Sequence, residues 1–240
     1  MFYSINYNTL TSIGPDTYNI NFTNGIVTIT ETNPNIITDK SYPILKDFSG
    51  NTIAPTAWYA FDTSTNIGLD SIGLYNMTNN GSVNVSLGVK GNFSASFNGT
   101  NQSLTTSSGV NLNSKSFSIS FWSYLTKTFG DRYILNIGSV NGTRQFLTIG
   151  YKVAHTFSFC FFSDDLDTDK LYAYEDLNKW IHYTCTYNVI NNQRIIYRNG
   201  LLVKVGNSGG SLNTTNILTL GYFSGFPAYY GGGVDDLRIY

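Results

Sequence analysis

The stretch from Ser116 to Leu125 alternates between apolar and polar side chains. Phe117, Ile119 and Phe121 share one parity, and the serines share the other. A period of two is typical of a β-strand that buries one face. The stretch therefore predicts a core strand of a β-sandwich. Trp122 and Tyr124 continue on the parity of the serines, so we expect a polar face that ends in two aromatic side chains and could bind a ligand.

The rest of the sequence also favours strands. Glu occurs only at positions 31 and 175 and Ala is scarce, whereas Tyr, Phe, Ile, Thr and Val are abundant, a composition that disfavours helices. Short alternating runs, separated by Gly, Asn and Ser turns, continue to the C-terminus. In a chain of 240 residues, this pattern predicts one all-β, antiparallel sandwich or jelly roll.

The first fifty residues have a pattern of their own. Two alternating runs, at 17–23 and 26–30, flank Asn24-Gly25, which is the signal of a β-hairpin with a type I′ turn. From Pro55 to Pro227 the chain contains no further proline. Because proline cannot donate to a sheet ladder, this interval favours one continuous sheet system. We expect a β-hairpin arm at residues 1–52 and a sandwich at residues 53–240.

Charge and hydropathy argue against several partners and locations. The net charge is −1, only 12% of residues are charged, and the basic residues are scattered, so we expect no nucleic-acid binding. No apolar run is long enough to span a bilayer, and the N-terminus lacks a basic region followed by an apolar one. We therefore expect no membrane insertion and no signal peptide in this chain.

Seven short motifs occur in order along residues 56–240. They are Trp58-Tyr-Ala-Phe-Asp, Asp70-Ser-Ile-Gly, Ser96-Phe-Asn-Gly, Phe117-Ser-Ile-Ser-Phe-Trp, Trp180-Ile-His-Tyr, Ile196-Tyr-Arg-Asn-Gly and Val234-Asp-Asp-Leu-Arg-Ile-Tyr. Together they resemble the laminin-G-like jelly-roll domains of the concanavalin A-like lectin/glucanase group. The Asn-rich style and the N-terminal arm also resemble modules in structural proteins of giant viruses.

Some relatives of this group are glucanases, which hydrolyse glycosidic bonds. A glycosidase needs two carboxylates roughly 5–10 Å apart across the bond. Both Glu residues lie outside plausible cleft strands, and Asp235 and Asp236 are strand neighbours whose side chains point to opposite faces. His155 and His182, the only imidazoles, lie in no nucleophile motif. We expect no enzymatic activity.

One structural calcium ion is the cofactor that the resemblance implies, because some relatives hold an ion near these motif positions. The implied ligands are Asp62, Asp70 and either Asp235 or Asp236. The alternative, that these carboxylates cap turns, stays open. Around Asp165 a second acidic stretch lacks the Gly and Glu of a calcium loop, and we expect a solvated turn there.

Glycan binding is the function that the aromatic residues favour. Sugar rings pack on Tyr and Trp, while polar groups bond the hydroxyls. The glycine-rich loop at 221–233 is exceptionally rich in aromatic residues. The alternative, that these rings finish a core strand or cover a sheet end, stays open. The candidate ligand-binding residues are Tyr222, Phe226, Tyr229 and Tyr230, followed by Trp122 and Tyr124.

The sequence thus predicts a non-catalytic recognition module for carbohydrate or a glycosylated surface, with a glycan or glycoprotein as partner. We expect it at a virion surface or outside the cell. The alternative is a structural coat or fibre component with no small ligand, in which the N-terminal arm docks to protein neighbours by strand addition.

Overall fold

The computed structural model of the protein describes residues 18–23, 26–31, 53–139, 142–223, 225 and 228–240. The chain divides into two units, Met1–Ala54 and Pro55–Tyr240, close to the boundary expected after residue 52. In the first unit, β1 (Tyr18–Thr23) and β2 (Ile26–Glu31) pair in antiparallel fashion, with Thr23 opposite Ile26. The N-terminal hairpin is confirmed, although its Asn24-Gly25 turn lies outside the described residues.

The second unit is built on two large antiparallel sheets. The strands of the larger sheet are β3 (Ala57–Tyr59), β5 (Asn84–Leu87), β6 (Phe93–Asn98), β8 (Phe117–Leu125), β13 (Trp180–Asn188), β14 (Gln193–Arg198), β15 (Leu201–Asn207) and β19 (Gly231–Ile239). In space their order is β15-β14-β13-β8-β19-β6-β5, and β3 also pairs with β19. This is the eight-stranded sheet.

The facing sheet has seven strands. They are β4 (Met77–Asn80), β7 (Ser103–Thr106), β9 (Arg132–Gly138), β10 (Phe146–Tyr151), β11 (Phe157–Phe161), β12 (Asp165–Asp167) and β16 (Leu218–Leu220), in the spatial order β12-β11-β10-β9-β16-β7-β4. Three short elements complete the unit: α1 (Tyr172–Asp176) and the paired strands β17 (Tyr222–Phe223) and β18 (Ala228–Tyr229).

The core lies between the two sheets. Along β8 every second side chain is buried, from Phe117 to Leu125, as the alternation predicted. From the facing sheet, Phe157 stacks on Tyr183 of β13 with ring centroids 3.6 Å apart. Aromatic side chains of both layers therefore share one core, and the predicted all-β antiparallel sandwich is confirmed.

A fully buried carboxylate, Asp176 of α1, is a polar hub within this core. Its Oδ2 accepts hydrogen bonds from the hydroxyls of Tyr151 (2.7 Å) and Tyr183 (2.5 Å). Its Oδ1 accepts bonds from Nε (2.9 Å) and Nη2 (2.5 Å) of Arg198. Burial, together with this carboxylate, raises the pKa of both tyrosines. Both hydroxyls therefore stay protonated donors, and the buried charge is paired.

The connection between β14 and β15 shows how local sequence sets the topology. Asn199 and Gly200 have φ of 49° and 76°, the left-handed conformation of a two-residue hairpin turn.

Cys160 and Cys185 are both buried free thiols. No helix in the described part of the chain is long and apolar enough to cross a membrane.

Candidate functional site

The outer face of the seven-stranded sheet carries a row of small polar side chains. Leu104, Leu135 and Leu218 are buried in the core, so the residue that follows each of them points outward. These residues and their cross-strand partners stand directly opposite one another on five adjacent strands, in the order Thr148, Asn136, Thr219, Thr105, Thr78. This set is called the polar row.

The small hairpin of β17 and β18 packs on the same face. Gly221 leads into it with a φ of 81°, and a Cβ there would lie 2.4 Å from the ring of Phe97, so this turn requires glycine. Phe223 is buried, with ring centroids 4.8 Å from Tyr133 and 5.2 Å from Phe146. Phe223 therefore anchors the hairpin on the outer face of the sheet.

A cleft of about 290 Å³ lies between the polar row and the hairpin. This volume is at the lower end of the ~300–1,000 Å³ typical of ligand pockets. The cleft thus combines hydroxyl and amide groups with aromatic rings. Its lining residues are Ser103, Thr105, Asn136, Gly138, Phe146, Thr219 and Tyr222.

Asn136 is the most deeply buried polar group of the lining, with 2% of its surface exposed. Its Nδ2 donates to the carbonyl oxygen of Tyr222 at 2.5 Å, which fixes the orientation of the amide. Its Oδ1 is buried and has no hydrogen-bond partner within the described residues. A buried acceptor without a donor is unfavourable by ~1–3 kcal/mol. A ligand hydroxyl in the cleft could supply the missing donor.

The aromatic wall of the cleft consists of Tyr222, supported by a second ring. Tyr222 packs on Tyr229 across the hairpin, with ring centroids 4.6 Å apart and ring planes at 31°. Both rings are half-exposed. Because they support each other, Tyr222 loses little freedom when a ligand packs on it, which favours binding.

Charged groups lie beyond Tyr133 and Phe223, at the far end of the outer face of the seven-stranded sheet. Lys152 Nζ forms ion pairs with Asp165 (2.7 Å) and Asp167 (2.9 Å). Burial, followed by the nearby carboxylate of Asp131, raises the pKa of Tyr133. Tyr133 is therefore a neutral aromatic residue between the carboxylates and the cleft.

Four residues of the predicted aromatic loop have different positions. Tyr222 lines the cleft and Tyr229 supports it, whereas Phe226 lies outside the described residues. The prediction for Tyr230 is wrong, because its side chain is fully buried. Its hydroxyl contacts Ser123 Oγ (2.9 Å) and donates to the Tyr124 carbonyl oxygen (3.0 Å). Tyr230 is a core residue that no ligand can reach.

Trp122 and Tyr124 lie on the outer face of the other, eight-stranded sheet. Both are half-buried, in contact with the rings of His182 (5.2 Å) and Trp180 (5.4 Å) of the neighbouring strand. Burial, followed by the charges of Lys90 and Arg238, lowers the pKa of His182 to about 4. His182 is therefore neutral at physiological pH, and this aromatic surface is separated from the cleft by the core.

Two candidate calcium ligands hold one loop by its backbone. Asp235 is fully buried and Asp62 is half-buried. Asp235 Oδ2 accepts the N–H groups of residues 89 and 90, both at 2.8 Å, and Asp62 Oδ1 accepts those of residues 92 (2.5 Å) and 93 (3.1 Å). These oxygens fasten the loop between β5 and β6.

The other two candidates also accept N–H groups. Asp236 Oδ1 accepts bonds from Trp58 Nε1 (2.8 Å) and Arg238 Nε (3.0 Å). Asp70 accepts four backbone N–H groups, which supports its turn-capping alternative. In the part of the chain that the structure describes, no three His, Cys, Asp or Glu side chains group closely enough to hold a metal. Calcium binding stays a prediction.

Sequence reasoning missed most of the cleft. Asn136 and Thr219 are each a single polar residue between apolar neighbours, and Thr105 follows the apolar Leu104. This signal marks an outward-facing position, but it is shared by many surface residues. What distinguishes these three is that their strands pair with one another, β9 with β16 and β16 with β7.

Among solved structures, domain 4 of AbnA, a GH43 extracellular arabinanase from Geobacillus stearothermophilus, in complex with arabinotriose, is similar in fold. It has a TM-score of 0.61 and 21% identity, covering 78% of this chain and 91% of that chain. A structure concerning botulinum neurotoxin type C, whose cell entry depends on interaction with two ganglioside molecules, has a TM-score of 0.53 and 17% identity, covering 72% and 44%.

The binding domain of botulinum neurotoxin DC in complex with SialylT has a TM-score of 0.52 and 20% identity, covering 71% of this chain and 44% of that chain. This chain therefore spans less than half of either neurotoxin chain. No curated protein matched the sequence. A laminin-G-like family model, for the concanavalin A-like lectin/glucanases superfamily, matches residues 97–240. Since this match covers more than half of its length, the chain belongs to the concanavalin A-like lectin/glucanases superfamily.

Proposed function

We propose that this protein is a non-catalytic carbohydrate-binding module that holds a glycan in the cleft beside the polar row. The observation that carries the proposal is Asn136, whose buried Oδ1 lacks a donor next to the aromatic wall of Tyr222. A sugar offers both partners that this arrangement needs, a hydroxyl donor and a C–H face for the ring. The arabinotriose and ganglioside in the relatives' descriptions belong to those proteins, and they support this choice of ligand class.

A binding role fits the lining better than catalysis does. The lining residues include no carboxylate, imidazole or thiol, and hydrolysis of a glycosidic bond requires a pair of carboxylates. We therefore expect purified protein to release no reducing sugar from any glycan that it binds. Sustained release of reducing sugar would contradict the non-catalytic role.

The test is binding of purified protein to a broad panel of immobilised glycans, once with calcium and once with a chelator. Tyr222→Ala should weaken binding about tenfold without changing the melting temperature. Trp122→Ala, on the opposite outer face, is the matched aromatic control and should bind as wild type does. If both variants lose binding equally, or if neither loses it, the cleft is not the binding site. Loss with chelator would support the predicted calcium ion.

A second pair of variants tests the polar row. Thr219→Val removes a hydroxyl of the lining while keeping the side-chain shape, and it should weaken binding several-fold. Thr78→Val makes the same change in the same row but outside the lining, so binding should be unchanged. Binding that does not depend on Thr219 would place the glycan elsewhere.

Assembly through the N-terminal arm is the second candidate function. Within the described residues, β1 and β2 pair only with each other, and an isolated two-stranded hairpin is marginally stable in water. A neighbouring protein that adds a strand would stabilise it. Localisation at a virion or extracellular surface is part of this proposal. Deletion of residues 1–52 should abolish assembly, and an unchanged assembly state would contradict it.

A further inference from the structure

The described lining of the cleft carries no formal charge. Its side chains are two threonines, a serine, an asparagine, a phenylalanine and a tyrosine, together with one glycine. An ionised group placed there would exchange water for neutral dipoles. Desolvation of an unpaired charge is far more costly than that of a hydroxyl. The composition of the lining therefore already separates charged from uncharged ligands.

The fixed polar group of the cleft is an acceptor. One N–H of the Asn136 amide is occupied, because Nδ2 donates to the Tyr222 carbonyl oxygen at 2.5 Å, and this bond fixes the orientation of Oδ1. The free atom is Oδ1, which requires a donor from the ligand. A sugar hydroxyl donates, whereas a carboxylate or sulfate oxygen only accepts. An acidic substituent facing Asn136 would meet repulsion in place of a hydrogen bond.

The charges around the cleft reinforce this preference. Lys152 is engaged by the two carboxylates of Asp165 and Asp167, so the charged end of the face has a net negative sign. Asp131 lies near Tyr133 on the same side. An anionic glycan therefore gains no cation from the described lining of the cleft, and the excess of carboxylates at the charged end of the face does not attract it.

We infer that the cleft selects uncharged saccharides, which donate a hydroxyl to Asn136 Oδ1 and pack a C–H face on Tyr222, and that it discriminates against sialylated, sulfated and uronic-acid glycans. This inference rests on the proposed function and narrows its ligand class. It also makes Asn136 a specificity-determining residue.

The experiment compares matched glycans that differ only in charge: neutral oligosaccharides with their sialylated, sulfated or uronic-acid counterparts, titrated against the full-length protein. We expect each neutral member that binds to do so at least about tenfold more tightly than its acidic counterpart. Acidic members that bind equally or more tightly would overturn the inference and leave the proposed function intact.

A variant that adds a positive charge to the cleft tests whether its neutral lining causes the preference for uncharged glycans. Thr219 stands directly opposite Asn136 on the neighbouring strand, so Thr219→Lys places a cation beside the acceptor. We expect this variant to move the neutral-to-acidic affinity ratio toward the acidic glycans. Thr219→Met, of similar length but uncharged, should retain the wild-type preference. An unchanged ratio in Thr219→Lys, or an equal shift in both variants, would overturn the inference.

Binding by the wild type and by Tyr222→Ala also tests the proposed function itself. If neither neutral nor acidic glycans bind, both the proposed function and this inference fail together. If glycans bind but Tyr222→Ala has no effect, the protein still binds glycans, but the ligand lies outside the cleft, so the proposed site and this inference both fail. Melting curves of each variant show whether it is folded before its binding is compared.

Discussion

Asp176 shows what a single buried charge contributes to this sandwich. Asp176→Asn keeps the size of the side chain but removes the charge that pairs with Arg198. We expect the free energy of unfolding to fall by ~3 kcal/mol, because Arg198 is left without its buried partner. Urea unfolding measures this. Glu175→Gln is the matched control, since Glu175 is half-exposed and 3.9 Å from the same guanidinium. Equal effects of the two substitutions on the free energy of unfolding would contradict the role of Asp176 as a polar hub.

Asp235 should make stability depend on pH. Burial raises its pKa to about 7, although the backbone N–H groups of Lys90 and Val89 act in the opposite direction. An acid with a raised pKa holds extra protons in the folded state between pH ~4 and ~7, so its contribution to stability falls as the pH rises through that interval. Asp235→Asn should therefore raise the free energy of unfolding by ~1–3 kcal/mol above pH ~7.

This gain should disappear below pH ~4, where both side chains are neutral. Urea unfolding at a series of pH values measures the difference between variant and wild type. Asp169→Asn, at a carboxylate that is 81% exposed, is the control for removing a charge. A difference that does not change with pH would contradict the raised pKa of Asp235.

Side-chain direction could be predicted from the sequence, but side-chain partners could not. Trp122 and Tyr124 were placed on an outer face because alternation within one strand is a local property. Tyr230 was misplaced because the aromatic loop lacks such alternation. The role of Asn136 depends on Thr219 and Tyr222, which join it only through long-range pairing. No local pattern carries that information.

Among the elements, the β17–β18 hairpin depends on the turn at Gly221. Gly221→Ala should lower the free energy of unfolding by ~3 kcal/mol, because it adds a left-handed alanine and a clash with Phe97. Gly130→Ala is a matched control: its φ is 72°, but a Cβ there meets nothing within 4 Å. That variant should lose only ~1 kcal/mol. Equal losses in thermal or urea unfolding would show that the contact with Phe97 does not matter.

Long strands were easier to predict than short ones. Alternation identified β8, and the Asn24-Gly25 signal identified the β1–β2 hairpin. The acidic stretch was expected to be a solvated turn, but its residues Asp165–Asp167 form edge strand β12, with Leu166 in the core. The aromatic loop likewise contains β17 and β18. Two- and three-residue strands are defined by their neighbours, so their own sequence is too short to show a period.

At the scale of the whole second unit, the two outer faces of the sandwich have different properties. The face of the eight-stranded sheet presents Trp122 and Tyr124 packed against His182 and Trp180. The face of the seven-stranded sheet has a recess, because the β17–β18 hairpin stands beside the polar row. Both sets of aromatic residues were visible in the sequence. Which face is recessed followed only from where the hairpin packs.

The two units of the chain allow a final prediction, that glycan binding and assembly depend on different units. Every strand of the two large sheets, and every residue of the cleft, lies within Pro55–Tyr240. If the proposed glycan binding is right, a chain lacking residues 1–52 should therefore keep the melting temperature and the glycan affinity of the 240-residue chain. If the arm serves assembly, sedimentation analysis should show that only the oligomeric state changes. Loss of glycan binding in a folded truncated chain would assign part of recognition to the arm and contradict a self-sufficient sandwich.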